Sequence, residues 1–286
     1  MKLRVSHTTR YEYPHPVDFT PHLLYLRPRA TAHQRLLRHE LSITPVAKLT
    51  SLRDAHDNDM DCAYFSVPSA SLAIHSVFEV DNTQWNPFDF ILEARASRFP
   101  FRYNDDEILA LGAYLAPPFA TTQKKLLEWL DSRLASRPSE TVPMLEALNR
   151  LLFKSLGYLR REEEGIQPSL VTITTGGGAC RDYAVLFIEL CRTIGVAARF
   201  VSGYLYSPPA GENRASGAMH AWAEVYLPGA GWRGLDPTHG IWCDAIFIPV
   251  AHAAVAVSVN PIQGKLYARD SIGSTLHTEV IVEKIS

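Results

Sequence analysis

The chain has 286 residues, of which 47% are hydrophobic and 20% charged, with a formal net charge of −2. That is enough apolar surface for one large core or two modest ones, and the near-neutral balance excludes a dedicated nucleic-acid binder with a basic stripe. Four cysteines in a chain of this length exclude a disulfide-stapled miniature fold.

The start, MKLRVSHTTRYEY, is polar and alternating, unlike a signal or transit peptide. The run IFIPVAHAAVAVSV is too short for a membrane helix, and Pro249 and His252 interrupt it. The expected setting is therefore the cytoplasm, with reduced thiols and no membrane partner. Basic residues are scattered, and Arg160-Arg161 is offset by Glu162, Glu163 and Glu164, as on a solvated surface.

Residues 1 to about 85 read as β-structure. KLRVSHTTRYEY alternates, while HELSITPV and AYFSVPSASLAIHSVFEV are rich in Val, Ile, Phe, Thr and Ser. DAHDND (54–59) is a turn cluster, because Asp and Asn tolerate left-handed or locally hydrogen-bonded backbone. Residues 84–103 carry aromatics and prolines without periodicity and read as a connector. The resulting division is a β-rich domain over 1–90, a connector over 91–105 and a core over 106–286 that ends in closing strands.

Helical spacing follows. Thr121-Thr122 can cap a helix with Leu126, Leu130 and Leu134 on one side. Ser139 can cap a second, with Leu145, Leu148, Leu151 and Leu152 as its stripe and Gly157 as its stop. A third begins at Cys180, with Ala184, Phe187, Leu190, Cys191 and Ile194 on one face and Gly195 at its end. VAARFVSGYLY, HAWAEVYL and WRGLDP then read as strands, and KLYARD and TLHTEVIVEKI as closing strands. Helices first and strands second predict an α+β core, its antiparallel sheet packed on the thiol-bearing helix.

The stretch TTGGGAC, directly before that helix, carries the chemistry. A helix N-terminus presents unpaired N–H groups and about half a positive charge, which favours an anion such as a thiolate. Cysteines so placed have pKa values lowered from ~8.5 toward ~3.5–7.5. Glycines at 176–178 would let a substrate reach the sulfur and let backbone N–H groups meet an oxyanion. Gly177, Gly178, Ala179 and Trp222 are accordingly assigned to the substrate and oxyanion vicinity.

A thiol nucleophile needs a base, and the base an orienting partner. His220 opens HAWAEVYL and Asp236 ends WRGLD, and PGAG at 228–231 joins the two as a hairpin. That geometry would set His220 and Asp236 side by side, facing Cys180. Asp182, in the first turn, suits a structural cap. Cys191 falls on the apolar stripe, too far along the helix to bridge Cys180, and Cys62 and Cys243 read as inert thiols. No metal is expected, since Cys180, His220, His239 and Cys243 lack the short ligand spacings of a zinc site. No cofactor is expected either, because no Gly-Lys-Ser/Thr follows the glycines.

With these residues in hand, the chain resembles the bacterial transglutaminase-like superfamily. The resemblance rests on GACRDYA at 178–184, RFVSGYL at 199–205, HAWAEVYLP at 220–228 and GWRGLDPT at 231–238. The start, LRVSHTTRYEYPHPV with TPHLL and LRP, is similar to the β-rich N-terminal region that accompanies such cores.

The resemblance implies a papain-related core and acyl transfer on peptide or protein substrates through a thioester. Cys180 would be the nucleophile, His220 the base and acid, and Asp236 the orienting carboxylate. Protease, deamidase and transglutaminase activities share that intermediate. The departures from the pattern are Ala179 where Val is common, Asp57 in place of a turn glycine, His239 where Asn is common, and the apolar 251–261 segment. The last motivates a competing expectation, a non-catalytic peptide-binding or scaffolding module that retains the three residues.

Overall fold

A computed structural model describes residues 1–161, 165–207, 218–267 and 272–285. The acidic run at 162–164 and part of KLYARD lie outside the described residues.

The N-terminal elements are β1 (Lys2–Val17), β2 (His22–Leu24), β3 (Gln34–Thr44), β4 (Ala47–Arg53), β5 (Asp59–Phe65) and β6 (Ser69–Asn82). The strict alternation of β6 turns Leu72, Ile74, Ser76, Phe78 and Val80 inward, and β1 does the same with Leu3, Val5, His7 and Thr9. Asp57 occupies the turn between β4 and β5 at φ 63°, the left-handed conformation where a glycine is common. Asp54 holds that turn by accepting hydrogen bonds from the His56 and Asn58 N–H groups.

Helices α1 (Asp105–Leu115), α2 (Ala120–Arg133) and α3 (Thr141–Ser155) follow. α1 was not legible as periodicity; its signal is the capping box of Asn104 and Glu107. Thr121 and Thr122 lie inside the first turn of α2 rather than capping it, and α3 starts two residues after Ser139.

Strand β7 (Gly157–Tyr158), α4 (Ser169–Thr175) and β8 (Gly177–Gly178) lead into α5 (Cys180–Thr193). The core sheet then forms from β9 (Ala198–Leu205), β10 (His220–Leu227), β11 (Gly231–Asp236), β12 (Ile241–Trp242) and β13 (Phe247–Ala253). Its order is β12-β11-β10-β9-β13, all antiparallel. Gly229 and Gly231 turn the β10–β11 hairpin at positive φ.

The short β14 (Ile262–Gln263) and the long β15 (Thr275–Ile285) close the chain. They do not join the core sheet. β14 pairs with β2, and β15 pairs with β1 along its whole length. Alternation marks β15 as a strand but does not name its partner.

α5 packs on β9 and β10 and is buried on most of its circumference, a wider apolar surface than its predicted stripe. Its neighbours in one continuous core include Leu126, Leu148, Phe200 and Val225, but also Leu3, Val5, Phe78 and Val80 of the N-terminal sheet. Buried polar groups fasten the same junction. Asn82 Nδ2 donates to Ala245 O at 2.9 Å, Gln34 Nε2 to Pro249 O at 3.0 Å, and Asn58 Nδ2 to His252 O at 2.8 Å. The β-rich part therefore supports β13, and through it the sheet that carries His220.

Candidate active site

The three glycines have a steric reason. Gly176 ends α4 in the left-handed conformation, φ 72°. A Cβ on Gly177 would lie 2.6 Å from Gly157 O, and one on Gly178 would lie 2.8 Å from Asp182 Cβ. Both residues are buried in the parallel β7–β8 pairing. Close packing by itself requires that both lack side chains.

Cys180 is the first residue of α5, so its N–H lies in the turn that lacks intrahelical acceptors. Asp182, fully buried, accepts from Ala179 N at 2.9 Å, from Gln167 N at 2.7 Å, and from Arg161 Nη1 on both carboxylate oxygens at 2.8 Å. It thus fixes the turn bearing the sulfur. It also engages the Ala179 N–H, which is therefore not directed at a substrate. Cys180 retains 9% exposure, while Cys191 has none and burial pushes its thiol up. Burial, followed by Asp236 and Glu224, likewise raises the Cys243 thiol well above its ordinary value.

β10 and β11 bring His220 and Asp236 together. His220 Nε2 donates to Asp236 Oδ2 at 2.8 Å, since a carboxylate can only accept. The same oxygen accepts from His239 Nδ1 at 2.6 Å, and Oδ1 accepts from Thr238 N at 2.8 Å. Asp236 and His220 are both buried. His220 Nδ1 is also buried.

The pair is electrostatically coupled. Burial would lower the His220 pKa, but the Asp236 charge and hydrogen bond, followed by Cys180, more than offset it and push it up to about 10. Burial would raise Asp236, but His220 and then His239 hold its carboxyl well below the usual carboxylate range. Cys180 therefore acts on the imidazole from close range, on a ring whose Nε2 is already held by Asp236. The arrangement can take a proton from a thiol and keep the resulting charges paired.

His239 is the member that sequence reasoning left out of the catalytic set, noted as a departure from Asn and within a discounted zinc set. Its signal was its position three residues after Asp236, on the turn that follows β11. The ligand atoms of His220, Asp236 and His239 all lie within 4.8 Å of one another. In this arrangement both rings donate to Asp236, and a cation would have to displace those hydrogen bonds.

Trp222 is buried two residues along β10, its ring 6.1 Å from that of His220 and 5.3 Å from Phe247. Gly203 faces His220 across the β9–β10 ladder, and a Cβ there would sit 2.2 Å from Ile248 O and 2.7 Å from the Trp222 ring. The apolar 251–261 segment is taken up by the fold. Ala251 and Ala253 extend β13 beside β9, and Ala256 and Val259 enter the main core.

Comparisons agree with this architecture. Residues 3–81 match the bacterial transglutaminase-like N-terminal region and residues 130–237 the transglutaminase-like superfamily. An uncharacterized protein of Mycobacterium tuberculosis is 30% identical over 299 aligned positions, covering 93% of this chain and 88% of that one. An uncharacterized protein of Mycobacterium leprae is 23% identical, covering 99% and 98%. The crystal structure of a Cytophaga hutchinsonii protein described as a candidate cysteine protease shares the fold. It has a TM-score of 0.74 and 18% identity, covering 100% of this chain and 92% of that one.

Proposed function

The chain belongs to the transglutaminase-like superfamily, and from that membership we infer that it carries out cysteine-dependent acyl transfer or hydrolysis at amide groups of peptides or proteins. The observation that carries this reading is the His220 ring. Asp236 fixes one of its nitrogens, and the other is buried, with Cys180 as the group acting on the ring.

In the proposed cycle, the Cys180 thiol proton passes to His220 Nδ1 before attack, and the thiolate of the resulting ion pair attacks the amide carbon. The tetrahedral oxyanion takes a hydrogen bond from the Cys180 N–H in the first turn of α5. The leaving amine or ammonia departs with the proton from Nδ1, leaving a thioester on Sγ. Water or a second amine then gives a proton to Nδ1 and attacks the thioester carbon. Loss of the acid or new amide returns the thiol.

Asp236 holds Nε2 so that Nδ1 faces the sulfur, and it stabilises the imidazolium. Trp222 and Phe247 exclude water from that ring. Gly177, Gly178 and Ala179 shape the turn, and the oxyanion contact is left to Cys180. Four free thiols suit a reducing compartment, so the cytoplasm is the proposed setting.

The test is trapping the acyl-enzyme. Activated peptide esters and glutamine-containing peptides, followed by intact mass spectrometry, are expected to give one acyl adduct. It should map to the Cys180 peptide, be released by hydroxylamine and be absent from Cys180→Ala. No adduct with any electrophile, or an adduct that persists in Cys180→Ala, contradicts the proposal.

A further inference from the structure

On the sheet face that carries His220, but on the far side of Trp222, the N-terminal part and the core line an open cavity of about 330 Å³. That is the small end of the range for ligand sites, ~300–1,000 Å³. Arg29 and His33 contribute to it from the N-terminal part, and Arg199, Glu224 and Arg233 from the core sheet. Trp85, Trp222 and Trp232 supply flat apolar walls.

The charges do not close on themselves. Arg199 is satisfied: it donates to Glu224 Oε2 at 2.7 Å from Nε and stacks 4.1 Å over the Trp232 ring. The Arg29 guanidinium has no hydrogen bond or ion pair of its own among the described residues. Burial weakens its charged form, Glu224 supports it, and Arg199 opposes it. Arg233 stacks on Phe90 at 4.8 Å, and its buried Nε lacks a hydrogen-bond acceptor. Behind Arg29, buried His252 has an unpartnered Nδ1, and burial followed by Arg199, Arg29 and His56 holds it neutral.

Two guanidinium groups with unfilled donors, converging on one lined space, are what a bidentate acceptor needs. Glu224 and Asp244 also line that space. They would repel the double charge that phosphate concentrates on one group more than the single charge of each carboxylate group.

We propose that this cavity binds a carboxylate, received by the Arg29 and Arg233 guanidinium groups between the tryptophan walls. The carboxylate belongs either to an acidic side chain of a peptide or to a small free diacid. The site is independent of Cys180 chemistry, so its test stands whether or not an acyl-enzyme forms.

Binding to the full-length wild-type protein is read by calorimetry and by tryptophan fluorescence. The probes are glutarate, an acetylated glutamyl dipeptide amide and inorganic phosphate, each against sodium chloride at equal ionic strength. At least one carboxylate probe should saturate and quench fluorescence, with phosphate weaker by about tenfold or more. Tighter binding of the dipeptide identifies a peptide side chain as the source, and tighter glutarate a free diacid.

Arg29→Gln and, on a separate element, Arg233→Gln should each weaken the preferred probe about tenfold or more, as expected for one charge-assisted contact. Glu224→Gln should tighten it, a gain that structural damage would not produce. No saturation above the salt control, tighter phosphate, or unchanged affinity in both arginine variants overturns the proposal.

Discussion

Replacing Asp236 with Asn keeps the side-chain volume and removes the charge on which the site is organised. In the wild type that carboxylate is fully buried and accepts from His220, His239 and the Thr238 N–H. The amide can satisfy at most part of this set, and His220 is left as a buried cation without its counter-ion. Breaking a buried ion pair by removing one partner costs ~3–5 kcal/mol. At ~2–4 °C per kcal/mol for a chain of this size class, Tm should fall by roughly 6–12 °C at the low end of that cost.

The loss has a pH signature. His220 is shifted up to about 10, so its stabilisation is full below its unfolded value of ~6.5 and is lost as pH rises through about 10. Asp236 is shifted down, so its contribution is present above ~3.9 and is lost as the solution is acidified further. The deficit of Asp236→Asn should therefore be largest between about pH 4 and 6.5 and shrink toward pH 10. Differential scanning calorimetry across that range reads it. A pH-independent deficit, or none, would refute the reasoning.

Two further substitutions test how the site is held. Gly203→Ala drives a Cβ against Ile248 O and the Trp222 ring, so it should destabilise by ~1–3 kcal/mol and shift tryptophan emission; a denaturant midpoint equal to wild type contradicts this. Asp182→Ala leaves Arg161 and the Gln167 and Ala179 N–H groups without their shared acceptor. It should cost about 3 kcal/mol or more, and it should raise hydrogen exchange at 165–180. Protection equal to wild type would show that the turn bearing Cys180 is held by something else.

Much of this was legible in the sequence because the elements that form the site are short and strongly patterned. The Cys180 helix announces itself by apolar periodicity after a glycine run, and the β10–β11 hairpin by alternating runs around PGAG. What packing asks of the glycines was not legible. Their role depends on Gly157 O and Asp182 Cβ, partners that only tertiary packing supplies. β15 was recognisable as a strand, but nothing in Thr275–Ile285 specifies pairing with β1. The apolar 251–261 run stood out as a departure from the family pattern because hydrophobicity reports burial without location. His239 lay in plain view, three residues past Asp236, but its meaning required the turn that swings it back onto the same carboxylate.

The central claim, that Cys180 and His220 work as a pair, is tested most directly by the pH dependence of Cys180 alkylation. Iodoacetamide labelling resolved by peptide mass spectrometry should find Cys180 still reacting rapidly near pH 6, well ahead of Cys62, Cys191 and Cys243. In His220→Gln that low-pH reactivity should vanish, leaving only the rise of an ordinary thiol near ~8.5. Identical profiles in the two proteins, both rising only in that alkaline range, would contradict the account.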